Sequence, residues 1–314
     1  DLLSAYRRVV SEVRSPGKGF AFFHMAATEI AERRRRPEWF GEIARDFVRL
    51  DARSYDADAL SYLLDRLMFH GQGRAALELA ERFLPIVADD GDLVGSAIHD
   101  LAWRTFDLRI GLRLVPAEGV TMDPGPGVEP LAAALQRGLE EYLSPEAACE
   151  VARNLDPGTP EPVWTPEWFQ TELDGDADEE AVTTNAMRLL AAQVWFWREA
   201  WQVDQLSPFQ AALGWRGALF MGRARDRKSG VISANLLDHL VPKGLERRIA
   251  CVTRDLLGTN VVQALALIRT LDCLGRFAHR RGLIPQARHE ALGRTLEQLE
   301  ARLTREWAGS GGRE

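Results

Sequence analysis

The six histidines are the side chains in this 314-residue sequence best suited to bind a metal ion or to exchange protons near neutral pH. They are His24, His70, His99, His239, His279 and His289. A metal site on one helix needs a second ligand three or four residues away, because those positions share a helix face. The fourth residue after each histidine is neither a carboxylate nor a histidine, and no HExxH or ExxH pair occurs. The spacing predicts no metal and no cofactor, unless distant residues assemble a site.

Three aspartates follow a hydrophobic stretch and provide the alternative metal site: Asp89, Asp90 and Asp92. Paired carboxylates at a helix end can hold Mg²⁺ against a diphosphate. The cluster resembles the aspartate-rich motif of class I terpene synthases, an all-α family of similar length. That resemblance implies a second motif with Asn, Ser and Glu ligands, but the nearest candidate, at Asn235, has His239 and Lys243 at the Ser and Glu positions. Because a lysine would repel Mg²⁺, we favour a helix end that runs into a polar turn.

A second acidic run imitates the start of an EF-hand loop at Asp174, Asp176 and Asp178. The sixth and twelfth positions of such a loop need Gly and Glu, but Glu179 and Asn185 stand there. The run is therefore interpreted as an exposed acidic loop. No GxSxG motif and no complete P-loop occurs either. The residues favour a protein that is not an enzyme and leave open a pocket assembled from distant residues.

The charge of the chain is unevenly distributed. The net charge of −7 argues against a protein that coats nucleic acid, and 36 of the 39 basic residues are Arg, which is typical of a GC-rich, bacterial genome. Residues 146–180 contain eleven Asp or Glu against one Arg, a balance of −10. Residues 216–254 contain nine Lys or Arg against three acids, a balance of +6. A local site for an acidic partner is therefore compatible with an acidic chain.

The basic segment supplies the main candidate contact residues, which are Arg223, Arg225, Arg227, Lys228, Arg247 and Arg248. Arginine suits such a role because its planar guanidinium binds a carboxylate or phosphate through two hydrogen bonds. Two interpretations stay open for residues 223–228: a contact for an acidic protein or a nucleic acid, and a solvated loop that faces the chain's own acidic segment. The solvated loop is the more frequent case.

A stripe of aromatic residues supplies the second group of candidates. Trp197 and Trp201 continue a stripe with helical spacing that begins at Met187, and Trp195 lies beside it. Such a stripe is most often part of a core. The alternative is a partner groove lined by indole rings.

Helical periodicity dominates the elements that must position these residues. Apolar residues recur at spacings of three and four at Phe40, Ile43, Phe47 and Leu50, and again from Leu60 to Leu67. Gly71 and Gly73 interrupt the pattern, which resumes at residues 75–86. Further helices are predicted at about 92–113, 131–155, 179–206, 208–224, 231–241, 244–257, 260–282 and 285–307. We find no convincing alternation of apolar and polar residues, so the chain is predicted to be all-α.

Pro- and Gly-rich stretches suggest how the chain is divided. The predicted parts are an N-terminal helical-repeat-like domain (1–114), a Pro/Gly linker (115–130), a helical hairpin (131–155), an acidic Pro-rich linker (156–178), a C-terminal helical domain (179–307) and a flexible tail (308–314).

Residues 60–85 resemble one tetratricopeptide-type repeat. Their leucines fall where that motif places its first-helix contacts, Gly71 falls at the turn, and Ala76 and Ala80 are the small residues that let two antiparallel helices approach. The motif's usual second-helix aromatic is replaced by Ala80, and no second copy follows in register. The resemblance implies a helical-hairpin array, either a tetratricopeptide-like α-solenoid or an irregular helical bundle, and implies binding rather than catalysis.

Composition and charge complete the functional expectation. The hydrophobic content of 46% is enough for a sizeable core, and no apolar run is long enough for a membrane span. Three scattered cysteines favour a reducing, cytoplasmic compartment. We expect a non-enzymatic scaffold or regulator that binds a protein segment, with an acidic character, in a groove between helices. The alternatives are an all-α enzyme of the metal-diphosphate or cofactor type and a nucleic-acid-associated protein that uses residues 223–254.

Overall fold

The computed structural model describes residues 2–13, 19–50, 55–89, 95–115, 127–171, 178–222, 235–255 and 258–310. The protein is all-α, as predicted. The described residues form thirteen α-helices: α1 (Leu2–Glu12), α2 (Gly19–Arg33), α3 (Phe40–Phe47), α4 (Ala57–Phe69), α5 (Gly73–Ala88), α6 (Gly95–Leu114), α7 (Val128–Gln136), α8 (Pro145–Leu155), α9 (Glu179–Gln202), α10 (Pro208–Gly222), α11 (Leu245–Val252), α12 (Val261–Arg280) and α13 (Gln286–Ser310).

Contacts within the chain define two compact units. Unit 1 consists of Asp1–Arg109 with Glu306–Glu314, and unit 2 consists of Ile110–Arg305. Each is described by itself below.

The α4–α5 hairpin is the centre of unit 1. Asp56 begins α4 by accepting hydrogen bonds from the backbone N–H groups of Asp58 and Ala59, both at 3.0 Å. Gly71 ends the hairpin's first arm with a positive φ of 74°, a conformation that glycine adopts without strain. Ala76 and Ala80 are completely buried between the helices. The hairpin predicted from residues 60–85 is present, and α2 and α3 pack around it as a helical array.

Buried charges also hold unit 1 together. The Arg104 guanidinium on α6 pairs with Asp65 on α4 and with Asp100, and it donates a hydrogen bond to the Ser61 hydroxyl at 3.2 Å. The side chains of Arg104 and Asp65 are 8% and 2% exposed. Removing one member of a buried ion pair is destabilising, and this pair connects α6 to α4.

Unit 2 is built around α12, whose residues are buried on more than one face. The helix α10 crosses it closely. A Cβ atom added to Gly214 would lie 2.5 Å from the backbone oxygen of Ala266 and closer still to the Thr270 hydroxyl. Gly217 packs on the Leu267 side chain in the same way but less tightly. Only glycine permits this approach of the two backbones at position 214.

Two helix predictions in unit 2 were wrong in extent. Of the predicted helix 231–241, the structure describes residues 235–241. They contain a four-residue 3-10 helix, Leu236–His239, which ends three residues before Pro242. The predicted helix 244–257 stops at Val252, and a two-residue antiparallel ladder follows in which Arg254 pairs with Thr259. Hydrogen bonds between segments, which periodicity does not reveal, replace helical ones here.

Candidate partner-binding site

The basic residues predicted to contact a partner divide into three groups. Arg223, Arg225, Arg227 and Lys228 lie outside the described residues. Arg247, on α11, is exposed. Arg248 is half-buried, and its guanidinium donates to the backbone oxygens of Val241 (2.8 Å), Lys243 (2.9 Å) and His239 (3.2 Å). Burial lowers the pKa of Arg248, and its carbonyl partners show that it holds the turn before α11 in place.

The three tryptophans of α9 have different surroundings. Trp197 is completely buried, so it presents no surface to a partner in this structure. Trp195 is half-buried, and its indole N–H donates to the Asn154 side chain at 2.8 Å. The Arg198 guanidinium lies 4.7 Å from the centre of the Trp195 ring. Trp201 is half-buried. Trp195 therefore joins α9 to α8, and Trp197 belongs to the core.

The aspartates of the alternative metal site are only partly described. Asp89 is exposed directly after the end of α5, and Asp90 and Asp92 lie outside the described residues. In the described part of the chain, no group of three or more His, Cys, Asp or Glu side chains could hold a metal ion. Within the same residues, no helix is both long and apolar enough to cross a membrane.

The structure reveals a groove that the sequence analysis did not identify, on the first three helices of unit 1. We call it the α1–α3 groove. It has a volume of about 200 Å³ and none of its lining side chains is charged. The lining residues are Leu3, Ala5, Tyr6 and Val9 from α1, Phe23, Ala26, Ala27 and Ile30 from α2, Trp39 before α3, and Ile43 from α3.

Helical spacing explains why these side chains meet. Leu3, Tyr6 and Val9 recur at intervals of three on α1, which places them along one face. Phe23 and Ile30 are separated by seven residues, or about two turns, on α2. The rings of Tyr6 and Phe23 stack with centres 5.5 Å apart and fix the distance between the two helices. This periodicity in residues 1–36 is the sequence signal of the groove.

The floor of the groove is a rigid aromatic cluster. Tyr6 is 7% exposed, and its hydroxyl lies 2.9 Å from Nδ1 of His24, which is 1% exposed and lies among Phe20, Phe23 and Phe47. Burial lowers the pKa of His24 to about 4, because the surrounding rings cannot solvate an imidazolium ion. His24 is therefore neutral at pH 7.

The rim of the groove remains open to solvent. Val9 and Ile30 are 36% and 41% exposed, whereas Ile43 at the bottom is 1% exposed. Exposing a contiguous apolar surface of this kind to water is unfavourable. Covering it with another apolar surface lowers the free energy. With no charged group in its lining, the groove is suited to bind an apolar surface.

The sequence matches no protein-family model, no curated protein and no solved structure. The structure therefore supports a helical array, and no family match confirms the resemblance of residues 60–85 to a tetratricopeptide repeat.

Proposed function

We propose that this protein is a non-enzymatic scaffold or regulator that binds an amphipathic helix of a partner protein in the α1–α3 groove. The observation that carries the proposal is the uncharged lining of the groove together with the exposure of Val9 and Ile30 at its rim. The proposal keeps the tetratricopeptide-like character of the helical array and the cytoplasmic location that cysteine usage favours.

The dimensions of the groove indicate the length of the partner segment. The helix α1 has eleven residues, so a helix lying along it contacts about 16 Å, or three turns. Apolar residues at positions i, i+3 or i+4, and i+7 of the partner would reach the groove, as in other helix-in-groove complexes. The stacked Tyr6 and Phe23 rings favour affinity because they are held in place before the partner arrives.

A display library of helical peptides tests the proposal without knowledge of the natural partner. Selection on the wild-type protein should enrich peptides with that apolar spacing. Ile30→Glu should weaken their binding at least about tenfold, because it places a carboxylate against an apolar surface. Phe22→Glu is the matched control: Phe22 is on the same helix, is 45% exposed and does not line the groove. Circular dichroism should show that both variants keep their helical content.

Two results would overturn the proposal. One is a selection that enriches no peptide with helical apolar spacing. The other is enrichment of peptides that bind the Ile30→Glu and wild-type proteins equally.

A further inference from the structure

A second groove lies in unit 2, between α11 and α13, and we call it the α11–α13 groove. Its volume is about 540 Å³. One wall is formed by Pro242, Gly244, Leu245, Glu246, Arg247 and Ala250, and the other by Thr295, Gln298, Leu299 and Arg302. Unlike the α1–α3 groove, it combines an apolar floor with charged side chains. Leu245 and Leu299 are buried at its base, and two arginines reach it from opposite walls.

The two arginines are held differently. The Arg302 guanidinium forms an ion pair with Glu246 at 2.5 Å, and these side chains are 42% and 62% exposed. Arg247 is exposed and has no carboxylate partner within the described residues. An exposed ion pair contributes only about 0 to 1 kcal/mol, because water solvates both charges when they separate. An incoming carboxylate can therefore replace Glu246 on Arg302 at little cost.

The surroundings of the groove add positive charge. Lys243 is exposed next to the groove wall. Arg248 and Arg288 donate to backbone oxygens of the segment 237–243 and have no carboxylate partner among the described residues. These two cations fix the turn before α11, and their charge favours anions near the groove.

We propose that the α11–α13 groove binds an acidic peptide segment, in which carboxylates flank an apolar side chain, and that Glu246 occupies the ligand's position on Arg302 in the free protein. The apolar residue would rest on Leu299 and on Ala250, which is exposed in the groove, while the carboxylates bind Arg247 and Arg302. Arginine suits this role because its planar guanidinium donates two parallel hydrogen bonds to a carboxylate. The site is separate from the α1–α3 groove and does not depend on the function proposed for it.

A peptide fits the observations better than a nucleic acid. The groove contains one carboxylate of its own, and α13 has further exposed carboxylates at Glu290 and Glu297. A long polyanion would be repelled by these groups along its length, whereas a short acidic segment meets the two arginines and has to displace only Glu246. The apolar floor also provides nothing that a phosphate backbone would need.

The probe is a fluorescein-labelled peptide with the sequence Gly-Glu-Glu-Leu-Glu-Glu-Gly, measured by fluorescence anisotropy on the full chain. Its control is the same peptide with Gln in place of each Glu, which has the same shape and no side-chain charge. Glu246→Gln removes the Glu246 carboxylate from Arg302 and should tighten binding of the acidic peptide about threefold, since Glu246 no longer competes with the peptide. Arg302→Met and Arg247→Met should each weaken binding about tenfold, because a charge-assisted hydrogen bond to the ligand is lost.

Matched variants separate this site from general charge effects. Arg305→Met removes an exposed arginine of the same helix outside the groove, and it should leave binding within about twofold of wild type. Combining Glu246→Gln with Arg302→Met should abolish the tightening, because Glu246 acts through Arg302. Ile30→Glu, in the α1–α3 groove, should have no effect, so failure of one site is distinguishable from failure of the other.

Any of four results on the peptides would overturn the proposal. The first two are that the acidic peptide does not bind and that the Gln peptide binds equally well. The other two are that Glu246→Gln fails to tighten binding and that Arg302→Met and Arg305→Met weaken it equally. Tighter binding of a single-stranded oligothymidine that competes for the same arginines would also overturn it and assign the groove to nucleic acid.

Discussion

The two units of this protein distribute apolar surface and charge in opposite ways. In unit 1 the arginine Arg104 is buried among carboxylates, while an uncharged groove is left open at the surface. In unit 2 the helices α10 and α12 close on each other without room for a Cβ atom at Gly214, while Arg247 and Arg302 line an open groove. The same residue types therefore lie in a core in one unit and along an open groove in the other.

This difference shows that residue type does not decide whether a side chain is buried in the core or lines an open groove. A buried arginine pair is costly to break because the remaining charge cannot reach water. An exposed pair is cheap to break, so its members are available to a ligand. By the same reasoning, covering the apolar residues of the α1–α3 groove would lower the free energy. For the apolar residues of α12, burial within the fold has already done so.

The largest effect should come from Gly214→Val, which would break the close packing of unit 2. The added carbon atoms would overlap the Ala266 backbone oxygen, so α10 and α12 must separate. We expect a loss of about 4 kcal/mol or more in the free energy of unfolding, measured by urea denaturation.

Gly217→Ala is the control for this substitution. Its added carbon would lie 3.2 Å from the movable Leu267 side chain, and the higher helix propensity of alanine offsets the crowding. A similar loss for both variants would contradict the close-contact explanation.

The second largest effect should appear when the loss of stability is compared between substitutions of the buried Arg104 and the exposed Arg302. Arg104→Met should destabilise the protein by about 3 to 5 kcal/mol, because the buried Asp65 carboxyl would lose its ion pair with this guanidinium. Arg302→Met should cost less than about 1 kcal/mol, since Glu246 is exposed. Thermal unfolding of the two variants measures both values. Equal losses would show that the two pairs do not differ as their burial indicates.

A pH effect should be specific to the floor of the α1–α3 groove. Because the pKa of His24 is lowered to about 4 in the folded protein, the unfolded chain binds a proton first as the pH falls below about 6.5. The contribution of neutral His24 to the free energy of unfolding is complete above pH 6.5. It is lost progressively down to pH 4, and the loss is about 2 kcal/mol at pH 5. His24→Gln should remove this part of the acid sensitivity, as measured by urea denaturation at pH 7 and pH 5. An unchanged difference between the two pH values would contradict a neutral, buried His24.

The smallest effect should be the salt dependence that separates the two grooves. Binding of the acidic peptide to the α11–α13 groove should weaken about fivefold from low to high salt, because screening acts on exposed charges. Peptides selected for the α1–α3 groove should bind equally well or slightly better, since salts do not weaken apolar contacts. Anisotropy titrations at two NaCl concentrations measure both, and identical salt responses would remove the distinction between the grooves.

Much of the fold could be predicted from local patterns. The spacing of Leu60, Leu63 and Leu67 and the break at Gly71 predicted the α4–α5 hairpin, because one turn of helix and one glycine suffice to specify them. The segment 231–241 could not be predicted in this way. Asn235 there donates to the Pro166 backbone oxygen at 2.7 Å, across 69 residues of sequence, and no local pattern encodes such a partner.

The candidate site was less predictable. Arg247 was identified from the charge of its segment, but the α1–α3 groove was missed, although Tyr6, Phe23 and Ile30 have regular spacing. Periodicity indicates which face of a helix is apolar. It does not indicate whether another helix covers that face, because covering depends on contacts between residues far apart in the chain.

The sequence by itself determined that the chain is all-α and where most of its helices lie, because helical periodicity, caps and glycine breaks act over a few residues. Only the tertiary structure decided that Trp197 is buried, that Arg248 binds carbonyl oxygens and that Arg302 meets Glu246 across a groove. The physical reason is that burial and ion pairing depend on distance in space, which a chain acquires only when its helices pack.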